Sequence, residues 1–181
     1  MTSRGIYMDY IIKVSTKIQP HEDAERVFHS INNIFPDWKP DNIPKKEQYP
    51  TKRSALLVTG FSNSLDFFMK SVVSERILDT AFDVMTMEIN VNKTCFSISR
   101  QAAIRGKVSF VIDDRPLGGT MEIVIERDNL EIWLEDLTWH PGREYIPRQV
   151  NDDLAMGRSG EPTEWFDKFG NPTISRPLEE E

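Results

Sequence analysis

The chain is short of cysteine, histidine and long apolar runs, and each shortage excludes something. One cysteine, Cys95, in 181 residues leaves no partner for an intramolecular disulfide, which suits a reducing cytoplasm. His21, His29 and His140 are scattered and, with that single thiol, offer no zinc-ligand spacing, so no metal or other cofactor is expected. No segment approaches the ~18 consecutive apolar residues of a membrane span, and residues 1–7 lack the apolar run of a secretory signal. Gly118-Gly119 is not followed by the Lys-Ser/Thr of a phosphate-cradling loop. No acid–base pair stands at a defined spacing, so neither catalysis nor a small-molecule substrate is expected. Positive charge is outnumbered. Twenty-two Lys and Arg against 29 Asp and Glu give a net charge of −7, which argues against nonspecific attraction to phosphates by the whole surface. A local surface can still have the opposite sign.

What is present fits one α+β domain with a polar extension. Residues 1–7 form a short leader, 8–137 the domain, and 138–181 a polar, acidic, flexible tail. Tyr10, Ile12, Val14, Thr16 and Ile18 alternate with Ile11, Lys13, Ser15 and Lys17, the period of a strand. Ala24, Val27, Phe28, Ile31, Ile34 and Phe35 mark one face of a helix over 22–35, which Pro36 ends. Four prolines make 36–52 a long loop, with room for a short edge strand. Ser54–Phe61 reads as a strand buried on both faces. A single helix follows from about Ser64 to Met85, and its stripe of Val72, Val73, Ile77 and Ala81 should pack on a sheet containing Leu57, Val108, Phe110, Ile123 and Ile125. Strands are expected at 94–98, 107–113 and 120–127, then a short helix over 129–137. Cys95 reads as a small core hydrophobe, and Asp79-Thr80 as a polar pair pinning the long helix to the sheet. Trp165, Phe166 and Phe169 read as tail aromatics.

Arg76, Lys93, Arg100, Arg105, Lys107 and Arg115 fall at short intervals in this acidic chain, with Gln101 among them. Guanidinium forks suit phosphate oxygens, and an amide can bond a sugar hydroxyl or a base edge. The same residues can instead form a solvated face with ion pairs, such as Arg76 to Asp79 or Asp83. Ala102, Ala103 and Gly106 also have a packing role, through close backbone approach and an unusual backbone angle.

Five short segments occur in one order: Arg76-Ile77-Leu78-Asp79-Thr80-Ala81, Asn92-Lys93-Thr94, Arg100-Gln101-Ala102-Ala103, Gly106-Lys107-Val108 and Pro116-Leu117-Gly118. Together they resemble the signature of a small archaeal family of uncharacterised proteins predicted to bind RNA. The likeness covers roughly residues 8–137. It departs at Phe82, where an arginine would be expected, and at Arg100, which replaces a lysine. It implies a mixed, largely antiparallel sheet with helices on one face, similar to the large-subunit ribosomal protein that binds 5S RNA. It also implies a homodimer, and structured RNA as the ligand of Arg76, Lys93, Arg100, Gln101, Arg105, Lys107 and Arg115. The function expected is thus non-catalytic RNA binding, linked to ribosomes or RNA processing. The alternative is a dimeric protein-interaction module in which these cations serve structure.

Overall fold

Strand β1 (Tyr10–Ile18) lies inside the sheet because both of its edges find long partners. It pairs antiparallel with β3 (Leu56–Ser62) on one side and with β6 (Thr120–Arg127) on the other. Outward from these, β2 (Lys39–Pro40) pairs with β3, β4 (Lys93–Ser99) pairs with β6, and β5 (Phe110–Val111) pairs with β4, giving the order β2-β3-β1-β6-β4-β5. The computed structural model describes residues 10–44, 52–113, 116–152, 155–156, 164–166 and 172–175. The expected leader, Arg115 and Phe169 lie outside the described residues. Among those described, the sheet is antiparallel throughout rather than mixed. A separate hairpin joins β7 (Glu164–Phe166) to β8 (Pro172–Ser175).

Register places the alternating apolar residues in rows on one face. Ile12 stands opposite Ile125, Val14 opposite Ile123, and Thr16 between Val58 and Met121, while Phe96 and Ile98 continue the rows on β4. Ile12, Val14, Met121, Ile123, Ile125 and Ile98 are wholly buried, and each such side chain contributes ~1.5–3 kcal/mol relative to exposure. The helices that cover this face are α1 (Ala24–Ile34), α2 (Asp66–Ser74), α3 (Leu78–Met87) and α5 (Leu130–Leu137). Asp23 caps α1 by accepting from the Glu25 N–H. Gly60 is required where Trp38 crosses β3. A Cβ there would lie 2.7 Å from the indole nitrogen, which donates to the Val14 carbonyl at 3.2 Å.

The helix expected over 64–85 is two helices. Arg76 has φ +58°, its N–H donates to Val73 O, and the Ile77 N–H reaches back to Val72 O, both at 3.1 Å. This 6→1 and 5→2 pattern closes a helix with a left-handed residue, a place glycine usually takes. The periodicity ran through the break because Val72 and Ile77 still face the core on either side of it. Val73 does not: it is 55% exposed. Leu57 is also exposed, at 68%, so β3 is buried on one face only. The strand expected over 107–113 shrinks to Phe110–Val111. Val108 is buried off the sheet, its N–H given to Ser71 Oγ at 2.9 Å.

Candidate functional site

The second face of the sheet carries no helix among the described residues. Its rows follow from the same register. One row runs Lys39, Phe61, Lys13, Val124 and Cys95 across β2, β3, β1, β6 and β4. The next runs Thr59, Ser15, Glu122, Ser97 and Val111. Leu57 with Lys17 lies toward one end, and Ile11, Glu126 and Lys93 toward the other. Ile11, Leu57 and Phe61 are 55%, 68% and 49% exposed. Lys13, Ser15, Lys17, Thr59, Ser97 and Glu122 line a trough of about 490 Å³, with Asp113 at its rim. Exposed Lys13, Lys17, Lys39 and Lys93 stand here against Glu122 and Glu126, and among the described residues only Lys93 is bridged, to Glu126 at 3.0 Å. With Asp113 counted, four lysines stand against three carboxylates, a small positive balance in a chain of net charge −7.

The structure divides the cations expected to form one cluster. Arg100 is turned inward and 3% exposed. It opens α4 (Arg100–Ala103), donates from Nε to Gly118 O at 2.8 Å and pairs with Glu22. A guanidinium committed to these partners presents nothing to a phosphate, so Arg100 is a structural residue. Gly119, at φ +74°, leaves the room it fills, since a Cβ there would lie 2.1 Å from Arg100 Nη2. Gln101 is exposed beside Gly118. Arg105 is exposed, and Lys107 bridges to Glu75 at 2.9 Å, which brings it beside exposed Arg76. Arg76, Gln101, Arg105 and Lys107 therefore gather at one end of the fold. Gly106 has φ +66°, the unusual angle expected of it. Lys93 starts β4, and Arg100 follows that strand's last residue, so the sheet length separates them. Arg76 reaches neither Asp79 nor Asp83, which are already engaged.

Those two carboxylates bind the segment after α5, not the sheet. Asp79 accepts from Arg143 Nε and bonds His140 Nε2, each at 3.0 Å. His140 Nδ1 accepts the Gly142 N–H, which leaves Nε2 as the donor to Asp79 in the neutral ring. Burial alone would raise the Asp79 carboxyl, but the bonds from His140 and Arg143 outweigh it and hold the group below its ordinary value. Asp83 pairs with Arg148 and accepts the Met156 N–H at 3.2 Å. Burial wins there and pushes the carboxyl up. The Arg143 guanidinium stacks 4.6 Å over the ring of Phe82, the position where an arginine was expected. Arg143 is 7% exposed. The first part of the polar segment is thus a strap on α3 rather than a free extension.

The sequence pointed to neither the lysine-bearing sheet face nor the strap. A signal for the first was present, because Lys13, Ser15 and Lys17 are the polar phase of the β1 alternation. Nothing local marked Phe61 as their neighbour, since that depends on a register set by distant strands. Arg143 and Arg148 stand in a Pro- and Gly-rich stretch whose composition reads as solvated. Among the described residues, no group of three or more His, Cys, Asp or Glu could hold a metal ion, and no helix is long and apolar enough to cross a membrane.

No family model matches the chain. A UPF0201 protein of Sulfurisphaera tokodaii is 32% identical over 131 residues, spanning 70% of this chain and 86% of that protein. A UPF0201 protein of Methanocaldococcus jannaschii is 32% identical over 125 residues, spanning 69% of this chain and 68% of that protein. The crystal structure of a UPF0201 protein from Methanococcus jannaschii matches the fold with a TM-score of 0.61 at 27% identity, covering 73% of this chain and 96% of that one. A crystal structure of an uncharacterized UPF0201 protein matches with a TM-score of 0.55 at 23% identity over 84% of this chain and 98% of that one, a likeness of fold alone.

Proposed function

The chain belongs to the archaeal UPF0201 family, and we propose that it binds RNA without catalysing a reaction on it, through the helix-free face of its sheet. One observation carries this reading: lysines collect on that face although the chain as a whole is acidic. Ammonium groups neutralise phosphates, and the hydroxyls of Thr59, Ser15 and Ser97 between them can donate to phosphate or sugar oxygens. Arg76, Gln101, Arg105 and Lys107 lie by the end of α2, in the helix layer, and give a lesser contact apart from this face, while Arg100 is held inside by Glu22 and Gly118. On this reading the protein works in the cytoplasm, in ribosome-linked or RNA-processing work.

Equilibrium binding to a structured RNA at two salt concentrations tests the proposal. Replacing Lys13, Lys17 and Lys39 by alanine together should lower affinity at least about tenfold and flatten the salt dependence by about 0.9 of slope per lost contact. The same treatment of Arg76, Arg105 and Lys107 should have the smaller effect. Wild type that binds no RNA at low salt would refute the proposal.

The exposure of Ile11, Leu57 and Phe61 on one sheet face favours a second reading, a homodimer joined through that face. Sedimentation of wild type and Leu57→Lys separates the two. Under the second reading the wild type is a dimer and the variant a monomer.

A further inference from the structure

Phe61 is the aromatic side chain of the helix-free face among the described residues, and lysines stand on both sides of it. Lys39 stands directly opposite it on β2, and Lys13 directly opposite it on β1. Residues in register across a sheet have Cβ atoms ~4.5–5.5 Å apart, so the two ammonium stems flank the ring on both sides. The ring is 49% exposed, and Gly60 on the same strand anchors the backbone beneath Trp38. A half-exposed ring between two lysines offers an apolar plane for a base and a cation for the phosphate on either side of it. The hydroxyl row of Thr59, Ser15 and Ser97 runs beside it along the trough.

From this geometry we infer that the face takes single-stranded RNA, with an unpaired base stacked on Phe61 and its flanking phosphates on Lys13 and Lys39. The inference rests on the RNA-binding reading above and adds the form of the ligand. A duplex hides its base faces within its own stack and offers a protein mainly phosphates and 2′-hydroxyls. A ring set between cations would then have nothing to do. An unpaired base has a free π-face, and stacking on an aromatic side chain tolerates any sequence. Charge complementarity fits the same occupant, since Lys13, Lys17 and Lys39 stand on this face against Glu122 and Asp113, with Lys93 and Glu126 paired to each other.

The test uses the full chain with an unstructured RNA of about 12 nucleotides, within the usual site size for single-strand binding, and a blunt duplex of the same length. The single strand should bind more tightly. Phe61→Ala should weaken single-strand binding by at least about fivefold, the lower end for loss of one stacked base, and leave its salt slope unchanged. Phe61→Tyr should restore it. Lys13→Ala and Lys39→Ala should each lower the slope by about 0.7. Phe61 is half exposed, and an unaltered thermal melt for Phe61→Ala confirms an intact fold. Duplex binding equal to single-strand binding, or a Phe61→Ala variant with wild-type affinity, would overturn the inference while leaving RNA binding standing. Failure of both RNAs to bind would remove the two together. Phe61→Ala that changes the sedimentation of the free protein would also overturn it, in favour of an interface between copies.

Discussion

Arg100 and Glu22, 78 residues apart in the chain, form an ion pair with side chains only 4% and 16% exposed. The pair ties the start of α4 to the turn before α1, and Arg100 Nε holds the Gly118 carbonyl of the following turn. Removing one partner leaves a buried charge uncompensated. Arg100→Ala should therefore cost about 3–5 kcal/mol in urea denaturation. Arg100→Lys should recover little of it, because an ammonium cannot reproduce the fork. A loss below about 1 kcal/mol would contradict the buried pairing.

Val91 has φ +47° and is 82% exposed in the tight turn where Asn90 and Lys93 exchange both backbone hydrogen bonds. A β-branched residue is strained in that conformation by about 1–3 kcal/mol. Val91→Gly should stabilise the protein by about 1 kcal/mol and raise its thermal midpoint, although an exposed Val→Gly change elsewhere usually does the opposite.

Asp79 gives the acid limb a defined sign. Its folded value lies below its unfolded one, because the His140 and Arg143 bonds outweigh burial. Its contribution is therefore complete above the ordinary aspartate value of about 3.9 and is lost as pH falls through the depressed folded value. Asp83 has the opposite sign. Its folded value is raised by burial, so its protonation favours the folded form as pH falls through that raised value. Asp79→Asn should lower stability near pH 7 by about 1 kcal/mol, since the side chain is 43% exposed and partly screened. It should also make the fall below pH about 4 shallower. Denaturation midpoints between pH 3 and 7 measure both effects.

Truncation after Leu137 removes Arg143 and Arg148 from α3. Asp83 loses its buried cation, and Phe82, now wholly buried, loses the guanidinium stacked on it. The truncated chain should be less stable by at least about 3 kcal/mol. The double variant Arg143→Ala, Arg148→Ala should reproduce most of that loss in the same thermal melt.

Cys95 reports on the helix-free face directly. Burial first, then the nearby Glu122 and Glu88 carboxylates, pushes its thiol above the ordinary value. Alkylation at pH 8 should be slower than for a free thiol, because only the thiolate reacts. It should slow further when RNA occupies the face, and mass spectrometry of the singly modified chain follows both.

Local patterning carried most of the fold. The alternations in β1 and β6 and the three-four stripe of α1 each place a single element, and burial follows them. The misses came where the deciding contact is distant. Arg76 broke a helix whose apolar stripe continues past it, because a left-handed arginine has no compositional mark. Arg100 looked like a surface cation until Glu22 and Gly118 were folded around it. The outward phase of β1 announced lysines, but only the pairing of β3 and β2 set Phe61 between two of them.

The place of β1 inside the sheet also bears on how the chain is made. Its Thr16 hydroxyl bonds the Thr120 carbonyl, 104 residues later, and its second edge stays unpaired until β6 exists. Pairing with β3 can form early, but β6 leaves the ribosome only several seconds afterwards at ordinary rates of elongation. During that interval the row of Ile12, Val14 and Ile18, fully buried in the finished protein, lies beside an open strand edge. Closure across so long a loop is slow. The nascent chain is therefore most prone to aggregation after β3 has emerged and before Arg127 has, and a holdase that binds the N-terminal hairpin in that interval would raise the yield of folded protein.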